Sequence, residues 1–503
     1  MAIGPSVGTG RLGSLSWRVG LGLFVLALVT RLPFATANLY APDSVLYERG
    51  MERFDPFDQR PQPPGYLWYV LVLRAVDIFT GDPNRAMTIV SAVAGAATVA
   101  LVYLLAARLY EERTARVAAL FVMTAVTFWA YGGVAYPYTV LAALTTGCAL
   151  LFWRSLDPAV PRSSRGLRLM AASAAWGIAV GFRSDLAIFL APLWLFAAIR
   201  TTLGSAVLSA AIVAAAVAMW TGASAAADGG LDRFLEAVRI QSRFVDDRYS
   251  VFGNGPIAIY RNGYELARFL GRGLYFLIPL VGATLLSAEA RRIELRDRGR
   301  AAFLALWTLA PLPFYVFVHV GEYGYVFSML PGLAIVAARG AIAVAKGLRR
   351  PRVFRWIVVV AVLGNAAIYL VSDTPISARD IVRHDRGIDE KAAYLRARLM
   401  PGTTVVVTAY DAVLVDRYVG SEYATIAYDP VAFPDYRRSL SCAGAPPCDG
   451  AAVDVVLWDD LLRAEGNGWT EVRMPHGSRL RIAHAPRSDS LRVSEGLGVE
   501  IAP

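Results

Sequence analysis

Long apolar runs alternate with short charged clusters up to about residue 370, and from residue 372 polar and apolar positions mix as in an ordinary globular domain. A helix crosses hydrocarbon on about 20 apolar residues and must satisfy its backbone polar groups internally. Runs that meet this demand lie near 17–36, 86–108, 115–132, 137–154, 167–182, 186–200, 202–221, 271–288, 301–319, 325–345 and 355–371. The pattern predicts a polytopic α-helical membrane protein with about eleven spans. Residues 64–80 are apolar too, but they open Pro-Pro-Gly and carry Arg74 and Asp77, so they are expected to lie in or dip into the interface.

Basic residues flanking the runs test that count, because cytoplasmic connections are enriched in Lys and Arg. With eleven spans the dense clusters at 108–116, 154–168, 200, 291–300 and 346–355 share one side. The short links at 132–136, 181–185 and 320–324 fall opposite and hold one basic residue, Arg183. The N-terminus is then cytoplasmic. The external side receives loops 37–85 and 222–270 and everything after 372, and the expected location is the plasma membrane. The first run lacks a convincing small-residue cleavage site and is read as a retained helix. Two domains are expected, a transmembrane part at 1–371 and an extracytoplasmic part at 372–503.

Composition agrees. The 503 residues are 56% hydrophobic and 18% charged, with a mean hydropathy of +0.45, whereas soluble domains carry about 25% charged residues. The formal charge of +10 sits in clusters between apolar runs, which suits a bilayer edge better than nucleic acid.

The C-terminal part predicts a small α/β module, with a helix at 388–399, buried strands at 403–408 and 453–458, and a hairpin at 469–483 turning at His476-Gly477-Ser478. Cys442 and Cys448 flank Ala-Gly-Ala-Pro-Pro with no further zinc-type ligand nearby, a spacing that favours a small disulfide loop and hence an oxidising compartment. Cys148, inside an apolar run, reads as a packing residue.

The first external loop carries the candidate chemistry. Arg31 ends the first helix, and Asp43, Tyr47 and Glu48 follow in Pro-Asp-Ser-Val-Leu-Tyr-Glu-Arg. Asp43 could accept a proton from a sugar hydroxyl or hold a divalent cation against a phosphate. It could equally cap the helix that contains Tyr47. At 181–185 the functional reading sets Arg183 on a donor phosphate, whose oxygens a planar guanidinium fits. The plainer reading pairs Arg183 with Asp185 to fix a tight turn. Arg239 and Arg243, four residues apart, would share a helix face that either binds a phosphate head group or lies solvated on the membrane. His319, Glu322, Tyr323 and Tyr325 end a span, where they could bind a sugar or anchor the helix in the aromatic belt.

An Arg-ended first helix, an Asp then a Tyr, and Pro63-Pro64-Gly65 before aromatic residues resemble the GT-C superfamily, in particular its protein O-mannosyltransferases and aminoarabinose transferases. The resemblance continues through Ala106-Ala-Arg-Leu-Tyr110, Gly181-Phe-Arg-Ser-Asp185, and Tyr323-Gly-Tyr325 with Leu330-Pro331. It covers roughly 18–370. It implies a glycosyltransferase that moves sugar from a polyprenyl-phosphate donor, with inversion, to a glycan, lipid or protein acceptor, and it implies Asp43 as catalytic base. Many members place a second carboxylate in the next external loop, yet 131–138 reads Tyr-Gly-Gly-Val-Ala-Tyr-Pro-Tyr. Glu48, Asp58, Asp185 and Glu322 are external and could substitute. Magnesium or manganese at Asp43 and a metal-free route both stay open. The competing classes are a lipid or solute transporter and a non-catalytic scaffold. Clear internal repeats and charges within spans, which mark transporters, are lacking here.

Overall fold

In the computed structural model, residues 14–409, 411–427, 440–441, 452–486, 491–493 and 497–501 are described. They divide into two compact units. One comprises Met1–Ala35 with Glu48–Ala378; the other comprises Thr36–Tyr47 with Arg379–Pro503.

The first unit is helical. Among its described residues, seven helical segments are long and apolar enough to cross a membrane: Ser16–Phe34, Pro83–Leu109, Leu203–Ala227, Pro256–Leu286, Arg298–Phe317, Leu330–Gly347 and Pro351–Val371. Each corresponds to an expected span. The other four expected spans fold as helices that fall short of this measure for local reasons. Residues 115–132 break at Ala125, whose extended backbone separates Glu112–Thr124 from Val126–Ala130. Leu186–Ala198 has 13 residues, which reach about 20 Å at about 1.5 Å per residue. Tyr138–Ser155 ends in Arg154, and Arg162–Phe182 begins with several arginines. The interfacial stretch forms the helix Leu67–Thr80.

Within this unit Pro83–Leu109 is central. It packs against Tyr138–Ser155, Glu112–Thr124 and Ser14–Val29. Its Ser91, Ala92, Gly95 and Ala96 are buried, and Gly95 leaves room for the Arg31 side chain, whose Nε would lie 3.0 Å from a Cβ there. Ser91 and residues 136 and 139 exchange side chain to backbone hydrogen bonds at 2.8 and 2.9 Å. Leu203–Ala227 is peripheral and turns Leu203, Val207 and Met219 outward.

The second unit holds a mixed sheet ordered β3-β2-β1-β4-β7-β6, with β1 Thr404–Thr408, β2 Ala424–Ala427, β3 Leu440–Ser441, β4 Val453–Leu457, β6 Thr470–Arg473 and β7 Arg479–Ala485. Strands β2, β1 and β4 run parallel, while β4–β7 and β7–β6 are antiparallel. Strand β1 is buried throughout, as its β-branched run predicts. The β6–β7 hairpin turns where expected, with Gly477 at φ +91°. Strands β5 Arg463–Glu465, β8 Leu491–Val493 and β9 Gly498–Ile501 form a second sheet. The expected helix at 388–399 is the last half of a longer one, Ala378–Arg398.

Loop residues 36–47 were expected with the transmembrane part, but they group with the C-terminal domain. The chain passes from one unit to the other within the helix Pro42–Glu52. Cys442 and Cys448 lie outside the described residues. Cys148 is buried and free.

Candidate functional site

The helix Arg162–Phe182 ends at Arg183, whose backbone is extended, and Asp185 precedes the next helix, Leu186–Ala198. Gly181 is dictated by packing, since a Cβ there would run into the Trp68 and Trp220 rings. Arg183 Nε donates to Asp185 Oδ2 at 2.9 Å, with both side chains about nine-tenths buried. The ion pair of the plainer reading therefore exists, and the guanidinium has a second environment as well. Its Cζ lies 4.3 Å from the Tyr325 ring centre and 5.2 Å from that of Tyr138, within cation–π range. Burial pushes the Asp185 carboxyl above its usual range while Arg183 pulls it down. Asp185 Oδ1 has no hydrogen-bond partner.

Aromatic rings continue around this cation. Tyr138 stacks on Tyr136 at 4.9 Å, and Tyr325 lies 5.8 Å from Tyr315. Tyr131 donates its hydroxyl to Glu322 at 3.2 Å. His319 packs between Tyr249 and Tyr325 at 4.5 and 5.4 Å. Burial, reinforced by Arg183 and Arg261, lowers its pKa to about 4, so the imidazole is neutral at ordinary pH. The structure thus gathers Arg183, Asp185, His319 and Glu322 in one neighbourhood. A recess beside Arg183 is lined by Pro64, Tyr66, Gly181, Ser184 and Trp220, which brings the Pro-Pro-Gly segment to the same place. Gly65 permits that turn, with φ at +104° and a hypothetical Cβ 2.7 Å from the Phe54 ring.

A second set of cations escaped the sequence reading. The helix Pro256–Leu274 carries Arg261, Arg268 and Arg272, and steps of seven and four residues place all three on one face. Arg272 bonds the Tyr323 hydroxyl, Arg268 pairs with Glu265, and Arg261 donates to the Arg248 carbonyl. The Nε atoms of Arg261 and Arg268 are buried without a hydrogen-bond partner. Arg261 lies over Tyr249 at 5.3 Å, the ring that also packs on His319. The span expected at 271–288 takes in only the last turn of this helix. The signal lay in the arginine spacing.

Arg239 and Arg243 are placed differently. They sit on the helix Leu231–Arg248, whose buried residues are Phe234 and Ala237 on the opposite face. Both arginines are exposed, and Arg239 pairs with Glu236 one turn back. That exposure fits a solvated amphipathic helix.

Asp58 is not in the Arg183 neighbourhood. It lies 3.6 Å from Arg233 and 3.8 Å from Arg53, beside buried Asp55, which Arg233 contacts at 2.9 Å. Asp228 completes the cluster by accepting the Phe57 amide at 3.0 Å. This group ties residues 55–58 to residues 228–233. Asp43 stands half-buried in the first turn of Pro42–Glu52, followed by buried Tyr47 and Glu48. A carboxylate there gains from the helix dipole, so the capping reading and the catalytic one both fit its local position. Among the described residues, no three His, Cys, Asp or Glu side chains gather as a metal site. Asp185 is committed to Arg183, and Asp58 to Arg53 and Arg233.

Residues 61–222 match the family model for dolichyl-phosphate-mannose-protein mannosyltransferases. The fold is similar to that of ArnT from Cupriavidus metallidurans. The structure of ArnT bound to undecaprenyl phosphate matches with a TM-score of 0.55 at 14% identity, covering 95% of this chain and 98% of that one. The apo form matches with a TM-score of 0.53 at 14% identity, covering 93% and 97%. Among curated proteins, none matches the sequence significantly. The points of contact are the mannosyltransferase family model over residues 61–222, about a third of the chain, and the ArnT fold over nearly all of it.

Proposed function

We propose that the protein transfers a sugar from a polyprenyl-phosphate-linked donor to a hydroxyl of an extracytoplasmic acceptor. The observation that carries this reading is the arginine face of Pro256–Leu274, with two buried guanidinium Nε atoms lacking partners, beside an aromatic cluster around Arg183. Cleavage of a glycosyl phosphate puts negative charge on the departing phosphate. Fixed donors at that charge are a main source of acceleration in sites sheltered from water. Aromatic rings such as Tyr138 and Tyr325 offer flat apolar faces for a sugar. The ArnT structure with undecaprenyl phosphate supports the lipid class of the donor.

In the reaction, the acceptor oxygen bonds to the anomeric carbon from the face opposite the phosphate. The bond from that carbon to the phosphate oxygen breaks, and polyprenyl phosphate leaves with the electron pair. The configuration inverts. Asp43 takes the acceptor proton, a role supported by its place in the first-loop pattern and by its half-buried setting. Arg261, Arg268 and Arg272 hold the phosphate, and Arg183 orders the tyrosines around the sugar. The basic clusters at the opposite ends of the membrane helices support a non-cytoplasmic setting for this chemistry.

The test replaces Asp43 with Asn, which keeps the shape and removes the base. Cells lacking the protein should accumulate its lipid-linked donor, which mass spectrometry of their polyprenyl-linked sugars would identify. Wild-type protein should clear that donor. Asp43→Asn, expressed at equal level in the membrane, should slow clearance by about 10²–10⁴-fold, the usual range for general base catalysis. Clearance at the wild-type rate would remove Asp43 from the mechanism.

A further inference from the structure

The backbone just before Asp43 is gripped residue by residue by side chains about 350 positions later in the chain. Asp385 accepts the amide of Ala37 on Oδ2 at 3.1 Å and that of Asn38 on Oδ1 at 2.8 Å. The Asn38 side chain returns a bond from Nδ2 to the Asp385 carbonyl at 3.1 Å. The Leu39 amide donates to the Tyr418 hydroxyl at 2.8 Å. His384 Nε2 lies 2.9 Å from the Tyr40 carbonyl. A carbonyl only accepts, so this nitrogen carries the proton, and the two rings also meet edge to face at 5.3 Å. Burial, reinforced by Lys391, lowers the His384 pKa against the smaller upward pull of the Tyr40 carbonyl, Asp380 and Asp385.

Nearly all these contacts go to main-chain atoms, so what is fixed is the path of the chain. Four consecutive residues, 37–40, are held. Three steps then lead to Asp43, a reach of at most about 11 Å at about 3.3–3.6 Å per residue. That short bridge is stiffened as well. Pro42 fixes its own φ, the Ser44 amide bonds the Ala41 carbonyl at 2.9 Å, and the Ala41 amide bonds Ser44 Oγ at 3.3 Å. The clamp comes from two helices, Ala378–Arg398 and Ala412–Tyr418, which pack with β1 and β4 through Leu395, Val415 and Val456.

We infer that the C-terminal domain is the positioning device for Asp43, with Asp385 as its principal positioning residue and Tyr418 and His384 in support. The inference rests on the reading of Asp43 as base. A base must sit within hydrogen-bond reach of the proton it takes, and a displacement of about 1 Å can cost about 10²-fold in rate. A mobile loop would lose that factor. The domain needs no catalytic group of its own to matter for turnover. Its sheet stiffens the clamp, and the clamp sets where the carboxylate stands.

The test uses the full-length protein in two assays. One is donor clearance in cells, as above; the other is binding of undecaprenyl phosphate to the purified protein. Asp385→Ala should slow clearance by about 10–100-fold and leave the affinity for undecaprenyl phosphate within about twofold. Tyr418→Phe, which removes one hydroxyl, should slow clearance less and leave affinity unchanged. The double variant Asp385→Ala/Asp43→Asn should be no slower than Asp43→Asn alone, because misplacing an absent base costs nothing further. The positioning role is overturned if Asp385→Ala and Tyr418→Phe clear donor like wild type while Asp43→Asn does not. It is equally overturned if Asp385→Ala weakens lipid binding as much as turnover, or if the double variant adds the two losses. Should Asp43→Asn itself retain activity, the underlying reading fails, and the two failures are told apart by that one variant. If Asp385→Ala does not reach the membrane, Tyr418→Phe decides.

Discussion

The helices Leu231–Arg248 and Pro256–Leu274 are neighbours in sequence and made of similar material. Both are amphipathic, and both carry arginines at helical spacing. On the first, Arg239 and Arg243 share a face opposite the buried Phe234 and Ala237, and they end in solvent with Glu236 as the partner of Arg239. On the second, Arg261, Arg268 and Arg272 reach Tyr249, Glu265 and Tyr323 in half-buried surroundings. The difference lies in what faces the arginines. An exposed guanidinium is hydrated and screened, whereas one among buried rings holds its charge in a low dielectric, where an incoming phosphate would feel it strongly.

Arg183 is the extreme of the buried kind, and changing its partner gives the largest expected effect on stability. Replacing Asp185 with Ala leaves a guanidinium in the interior with tyrosine rings but no carboxylate. Breaking a buried pair from one side costs about 3–5 kcal/mol. Thermal unfolding of the purified variant in detergent should fall accordingly. A melt unchanged from wild type would mean that the tyrosine cage alone sustains the charge.

His319 sharpens the comparison at intermediate size. It is a base whose folded pKa, about 4, lies below its unfolded value of about 6.5. Between those pH values the unfolded chain binds a proton that the folded protein refuses, so stability from this group is full above about pH 6.5 and falls with acidification, by up to about 1.4 kcal/mol per pH unit. His319→Gln should flatten that part of the stability profile between pH 4 and 6.5. A slope equal to wild type would place the acid sensitivity elsewhere. The smallest effect is expected on the exposed helix, where Arg239→Ala/Arg243→Ala should change stability by under about 0.5 kcal/mol.

Hydropathy carried much of the architecture. Seven expected spans correspond to long apolar helices, and β1, β4 and the β6–β7 hairpin arose where β-branched runs and a Gly-containing turn predicted them. The shorter helices were harder because a break such as that at Ala125 depends on packing, and Val and Thr continue the apolar pattern across it. Arg183, Asp185, His319 and Glu322 could be named from position at span ends, since charge at a membrane rim is costly and so informative. Which arginines face rings could not be read by residue type, and Arg261, Arg268 and Arg272 lay across an assumed boundary. The grip of Asp385, His384 and Tyr418 on residues 37–40 leaves no periodic trace, because those bonds go to backbone atoms hundreds of positions away.

The most direct measurement compares undecaprenyl phosphate binding by the two arginine faces, using purified full-length protein and size exclusion to verify folding. Each charge-assisted hydrogen bond lost costs about 1.5–3 kcal/mol, so Arg268→Ala/Arg272→Ala should raise the dissociation constant by at least about 100-fold, while Arg239→Ala/Arg243→Ala should leave it within about twofold. Equal losses from the two double variants, or a larger loss from the exposed pair, would contradict the assignment of the phosphate to Pro256–Leu274.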